Sequence, residues 1–221
     1  MGRQISWNKS YEKEETLFVS GFLKPDHVCF DVGANVGYFT LLMASRVTAG
    51  EIHSFEPIPF CYHMLSCSIH LNGFANVITN NCAVGEIDGE ATFYISGDSA
   101  FSSMIPHAEA RRLTVAVTSI DKYVRSRNIK KIDFLKIDVE GAELQVVLGA
   151  TELLADQVRR PGLIMMEIGI DGAGKISDSS IEVIRFMRNH GYAPMILRDG
   201  KLVTLDSQES SGSYNLFFCS K

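Results

Sequence analysis

Between Phe30 and Thr40 the chain reads FDVGANVGYFT. An apolar run ends on Asp31, and Gly33 and Gly37 follow four residues apart with Asn35 between them. A strand, a glycine turn and a helix in that order let backbone approach a ligand closely. Spacing excludes two familiar ligand turns. A dinucleotide turn needs G-x-G-x-x-G, and counted from Gly33 the later glycine positions hold Asn35 and Tyr38. A P-loop needs Lys and then Ser or Thr after its last glycine, whereas Gly37 is followed by Tyr38 and Phe39. What remains is an acid followed by G-x-x-x-G. A second acid, Glu56, ends the next strand-like run, 25 positions after Asp31. Its carboxylate suits the two hydroxyls of a ribose. Two carboxylates at one turn argue against a pyrophosphate and for a nucleoside that carries positive charge, and S-adenosylmethionine is such a ligand. The competing reading is that the glycines only allow a strand and a helix to pack tightly.

A second group lies in FLKIDVEGAE. The period of two in an extended strand puts Lys136, Asp138 and Glu140 on one side, and charges at the end of an apolar strand are costly unless paired or functional. Asp138 is the first choice near a reacting centre, with Glu140 and Lys136 as supports; a structural Lys136–Glu140 ion pair is the alternative. Glu167 ends the strand LIMME and is placed to meet Asp138 across a pocket. Two facing carboxylates raise the option of a divalent metal, but too few oxygen ligands can be assigned, and no metal site is expected. His63, Cys67 and His70 share one helix face at a spacing zinc could use; a solvated face is the simpler reading. His107, in the polar loop 96–112, is a further candidate base.

These residues need elements to position them. Runs of strand type alternate with segments of helical period: a lead-in helix within 11–23, strands at 28–32 and 51–55, helices over 36–47 and 59–72, and a third strand at 76–84. Asp88-Gly89 marks a turn into ATFYIS, with LTVAVTS as its partner. Then come a strand at 132–138, a helix within 141–155, a strand at 163–168 and a helix over 178–190 capped by Asp178 or Ser179. APMILR, KLVTL and YNLFFCS form a hairpin-like tail. The pattern is α/β, a three-layer Rossmann-like fold with a mostly parallel sheet. In such sheets ligands bind beyond the carboxyl ends of the strands.

The chain has 221 residues, 46% hydrophobic and 21% charged, which suits one compact globular domain with a sizeable core. A net charge of −5 argues against nucleic acid as a partner. No apolar run approaches the roughly 18 residues of a membrane span, and the N-terminus lacks the apolar segment of a signal peptide, so a cytoplasmic protein is expected. The five cysteines form no CxxC pair and read as free thiols.

DVGANVGYFT, GEIHSFEPIPFCYHML, NVITNNCAVGEIDGEATFYI, VAVTSIDKYV and FLKIDVEGAELQVVLGA together resemble the FkbM family of S-adenosylmethionine-dependent methyltransferases. The likeness covers residues 28–170, with 1–27 as a lead-in and 171–221 completing a single domain over 1–221. It implies the class I methyltransferase fold, a seven-stranded sheet whose last strand is antiparallel. It also implies a cofactor site in which Asp31, Gly33, Ala34, Asn35, Gly37, Phe39 and Thr40 border the methionine part. Glu56 would hold the ribose with Pro57 beside it, Asn81, Cys82 and Ala83 would border the adenine, and Asp138 would close the pocket. The expected activity is O-methylation of a hydroxyl on a small metabolite or sugar. A non-catalytic nucleoside-binding module of the same fold remains open, and the failed G-x-G-x-x-G disfavours a nicotinamide oxidoreductase. The acceptor and the oligomeric state are not written in the sequence.

Overall fold

The computed structural model describes residues 12–95, 102–103, 111–169, 176–205 and 215–220. Helix α1 (Lys13–Phe22) leads into β1 (Val28–Val32), α2 (Tyr38–Arg46), β2 (Glu51–Phe55), α3 (Pro59–Leu71) and β3 (Val77–Asn80). Next come β4 (Ala83–Val84), β5 (Gly89–Ile95), β6 (Ser102–Ser103), β7 (Arg111–Thr118) and α4 (Ile120–Ser126). β8 (Phe134–Ile137), α5 (Glu143–Leu148), α6 (Thr151–Ala155), β9 (Leu163–Glu167) and α7 (Asp178–Asn189) follow. β10 (Tyr192–Arg198), β11 (Lys201–Thr204) and β12 (Asn215–Ser220) complete the described chain.

The main sheet has the order β3-β2-β1-β8-β9-β12-β10-β11. β3, β2, β1, β8 and β9 are mutually parallel. β12 runs antiparallel between β9 and β10, and β11 antiparallel to β10 adds an eighth strand at that edge. The seven strands expected from the sequence are therefore present, and the turn at Asp199-Gly200 supplies the extra one. The chain winds one way from β1 to β3 and resumes on the other side of β1 with β8. This reversal opens a crevice above the carboxyl ends of β1 and β8.

Successive side chains of a strand point to opposite faces, and here both faces are covered. Phe30, Leu135, Met166 and Phe218 belong to one core, packed with α4 to α7. Their immediate neighbours Cys29, Phe134, Met165 and Phe217 belong to the other, under α1 and α2. Strands buried on both sides read as nearly continuous apolar runs. Asp31 and Lys136, charged and almost fully buried, therefore need a local explanation.

The third strand expected over 76–84 is two strands. β3 stays in the main sheet, and β4 departs after Asn81-Cys82 to pair in parallel with β7. β7 pairs antiparallel with β5, and β5 with β6, in a second sheet ordered β4-β7-β5-β6. Helix α7 is capped by Ser177, whose Oγ accepts from Ser180 N–H at 3.3 Å, one residue before the caps expected; Val183, Ile184 and Met187 form its buried face. Among the described residues no helix is long and apolar enough to cross a membrane.

Candidate functional site

The turn after β1 is shaped by contacts its residues cannot avoid. Gly33 has φ +78°, and a Cβ there would lie 1.8 Å from the carbonyl oxygen of Asp138. Gly37, φ +98°, caps α2 where a Cβ would meet Leu65 Cδ1 at 2.6 Å. Tight packing thus accounts for both glycines, and at Gly33 the close approach also brings the end of β1 against the end of β8. We expect Gly33→Ala to displace that turn and destabilise the fold by more than ~3 kcal/mol, since strained backbone and overlap add. Urea unfolding checks this.

Asn35 also takes a left-handed conformation, φ 51°, which asparagine tolerates better than most residues. Its side-chain Oδ1 accepts from Val36 N–H, and its own N–H donates to Glu56 Oε2, both at 2.8 Å. Glu56 Oε1 accepts from Ile58 N–H at 2.8 Å. The carboxyl thus ties the glycine turn to the start of α3 while facing the crevice. Each of its oxygens keeps a lone pair for a further donor. Burial raises Glu56 to about 7, against the two amide hydrogen bonds that favour its ionised form.

Strand parity gathers the remaining charges. The register pairs Asp31 with Ser54 on one side and Lys136 on the other, and all three face α2. Thr40, reaching down from α2, donates to Asp31 Oδ2 at 2.6 Å and lies 2.8 Å from Ser54 Oγ. Lys136 Nζ is 3.7 Å from Asp31 Oδ1 and donates to Asp138 Oδ2 at 2.9 Å. Its ammonium also lies 5.3 Å from the centre of the Phe39 ring. Lys136 stays firmly protonated, its pKa raised by Asp138 and Asp31 in spite of burial. Asp31 is pushed up by burial, while Lys136 holds Asp138 below its ordinary value against burial. Glu140 occupies a left-handed position, φ 54°, in the turn after β8. In place of the alternative Lys136–Glu140 pair, Lys136 stands between two aspartates.

A cavity of about 460 Å³ opens above this layer, within the range of small-molecule sites. Of the residues singled out in the sequence, Gly33, Asn35, Glu56, Pro57, Cys82, Ala83, Asp138 and Glu140 line it. Asp31, Ala34, Gly37, Phe39, Thr40, Asn81 and Lys136 do not line it. They stand behind the wall for identifiable reasons. Asp31, Thr40 and Lys136 are buried in the polar layer, and Phe39 packs in the core under α2. Ala34 packs with Leu65 and Ile69, and Gly37 is closed off by Leu65. Asn81 uses its amide to donate to the carbonyls of Glu56 and Pro57 at 2.8 and 3.2 Å, fixing the segment that carries Glu56.

The second sheet supplies a wall not foreseen from the sequence. Ala91 and Phe93 of β5 and Val117 of β7 line the cavity, with Glu90 and Glu86 at its border. Alternation in ATFYI was the available signal, but nothing in it tells which face meets the main sheet. Glu167 also lines the cavity. On α3, Cys67 Sγ lies 3.6 Å from His63 Nε2; no group of three or more potential metal ligands occurs among the described residues. His107 and most of the 96–112 loop lie outside the described residues.

The wall carries Glu56, Glu86, Glu90, Asp138, Glu140 and Glu167, and no Lys, Arg or His among the described lining residues. A pyrophosphate would find no cation there, whereas a sulfonium and an ammonium would find carboxylates. The free lone pairs of Glu56 fit a ribose diol. The donor set therefore suits S-adenosylmethionine.

Sheet order and the crevice at the strand reversal are those of the class I methyltransferase fold. A family model described as the Methyltransferase FkbM domain matches residues 31–194. The chain is 27% identical over 209 residues to the 31-O-demethyl-FK506 methyltransferase FkbM of Streptomyces tacrolimicus, covering 80% of this chain and 76% of that one. It is 27% identical over 234 residues to the AMB antimetabolite synthetase AmbE of Pseudomonas aeruginosa, covering 88% of this chain but a tenth (10%) of that much longer protein. A crystal structure of methyltransferase FkbM from Methylobacillus flagellatus superposes with a TM-score of 0.56 at 15% identity, over 95% of this chain and 48% of that one. The chain belongs to the FkbM methyltransferase family.

Proposed function

We propose that this domain transfers a methyl group to a hydroxyl oxygen of an uncharged small molecule, a metabolite or sugar, in the cavity between the main sheet and the second sheet. The acidic wall, with no described cation, carries this reading. It favours a positively charged donor and disfavours an acceptor bearing phosphate or carboxylate near the reacting carbon. The Streptomyces relative, named for a 31-O-demethyl substrate, supports oxygen as the atom methylated.

In this reading Glu56 accepts from the ribose hydroxyls, the Asn35 turn borders the methionine end, and Cys82 and Ala83 border the adenine. When bound, S-adenosylmethionine supplies an electrophilic methyl carbon. The protein's part is alignment, which provides much of the rate in such displacements, and removal of one proton. Asp138, ionised and held by Lys136, takes the acceptor's hydroxyl proton at its carboxylate. Ala91, Phe93 and Val117 form an apolar surface against which the acceptor's carbon skeleton can lie.

The test is methyl transfer from labelled S-adenosylmethionine to paired acceptors, each an uncharged polyol and its phosphate ester. Label is expected on the uncharged members alone. Label on the phosphate esters in preference would contradict the reading. Binding of S-adenosylhomocysteine with no transfer to any hydroxyl would favour a non-catalytic nucleoside-binding module.

A further inference from the structure

Glu167 is the last residue of β9, and the pairing of Ile137 with Met166 sets it beside Asp138 at the end of β8. Leu163 and Met165 pack under α1 and α2, so Glu167 shares that face with Lys136 and Asp138. Both carboxyls line the cavity, and they hydrogen-bond to each other. Two carboxylate ions have no donor between them, so one must carry a proton. The neighbours decide which. Lys136 donates to Asp138 and keeps it ionised. The charges acting most on Glu167 are negative: Asp138, Glu140 from the turn after β8, and Glu12 at the start of α1. Across the sheet, β12 presents Asn215 opposite Glu167. Burial and these charges raise Glu167 well above the ordinary carboxylate range.

We propose that Asp138 and Glu167 share a single proton at neutral pH and act together as the acceptor-side base, Glu167 being the neutral positioning residue that donates to ionised Asp138. This rests on the reading of Asp138 given under the proposed function. As the acceptor oxygen bonds to the methyl carbon, its O–H bond breaks and the proton passes to Asp138. The electron pair of the broken sulfur–carbon bond stays on sulfur. The pair then holds two protons. Because Lys136 disfavours a protonated Asp138, one is returned to solvent and the pair is reset.

Infrared spectra of the full chain labelled with carbon-13 at its glutamate carboxyls test the shared proton. A protonated-carboxyl band should persist above neutral pH, disappear only in more alkaline solution, and be missing in Glu167→Gln. Glu56, with a midpoint near 7, gives an earlier transition that Glu167→Gln retains, which shows that the variant is folded. A second measurement places the pair beside the transferred methyl. In the wild type, the preference for cationic S-adenosylmethionine over neutral S-adenosylhomocysteine should rise about fivefold as Glu167 ionises, as one added charge a few ångströms away implies. In Glu167→Gln the preference should stay flat. Absence of the band above the Glu56 transition, its survival there in Glu167→Gln, or a flat preference in the wild type overturns the proposal. None of these would remove the dependence of S-adenosylhomocysteine binding on Glu56, whereas failure of the cofactor-site reading would.

Discussion

Glu56→Ala weakens binding of S-adenosylhomocysteine about a hundredfold, measured by calorimetric titration at pH 8. Two hydrogen bonds to a charged acceptor are lost, and each is worth ~1.5 kcal/mol or more in a dry site. The variant also leaves Asn35 N–H and Ile58 N–H without their acceptor, which loosens the glycine turn and the start of α3. Glu56→Gln keeps one acceptor oxygen and is expected to lose only about tenfold. A pH dependence separates this role from a purely structural one. With Glu56 raised to about 7 in the free protein, and the diol binding the ionised form, complex formation releases a proton below that pH. Affinity should then fall about tenfold for each pH unit below 7 and level off above it. In Glu56→Gln this dependence disappears.

Lys136→Met is the second large effect, and it acts on stability. Lys136 is the cation between Asp31 and Asp138, with its side chain 6% exposed. Removing one partner from a buried charge network costs ~3–5 kcal/mol, so the urea midpoint should drop sharply at pH 7. Asp31→Asn combined with Lys136→Met should recover part of the loss, because the two side chains are coupled. The sign of the pH dependence is fixed by Asp138. In the wild type its pKa is depressed, so its contribution is present above the ordinary aspartate value and is lost as pH falls through the folded value. Without Lys136, burial and the neighbouring carboxyl raise both aspartates. Their protonated forms then favour the fold, and the deficit of Lys136→Met is largest at neutral pH and shrinks in acid.

The strands of the main sheet and the glycine turn were legible because their signals are local. VCFDV, EIHSF and LIMME are buried strands over the expected residues, and the positive φ of Gly33 and Gly37 matches the conformational freedom that marked them out. Glu56 was legible by the same logic, as the acid ending the strand beside the turn. Asp31 and Lys136 stand back from the cavity for a reason of depth. Parity puts them on the same face as Asp138, but only the stagger of three strands shows that they lie one layer beneath the cavity floor. Thr40, in the first turn of α2, closes that layer from above, a contact no spacing rule reveals. The division of 76–84 into β3 and β4 was hidden because both halves have strand composition. The break at Asn81-Cys82 is held by hydrogen bonds to Glu56 and Pro57, partners distant in sequence. The second sheet's place at the cavity follows from that break, so Glu86, Glu90 and Phe93 could not be assigned beforehand.

A crystal structure with S-adenosylhomocysteine bound tests the assignment of this cavity most directly. The ribose hydroxyls should lie on the Glu56 carboxylate, with the adenine beside Cys82 and Ala83 and the sulfur facing Asp138 and Glu167. A nucleoside bound away from Glu56, such as in the hollow between Lys24 and Asp133 at the opposite end of the strands, would contradict it.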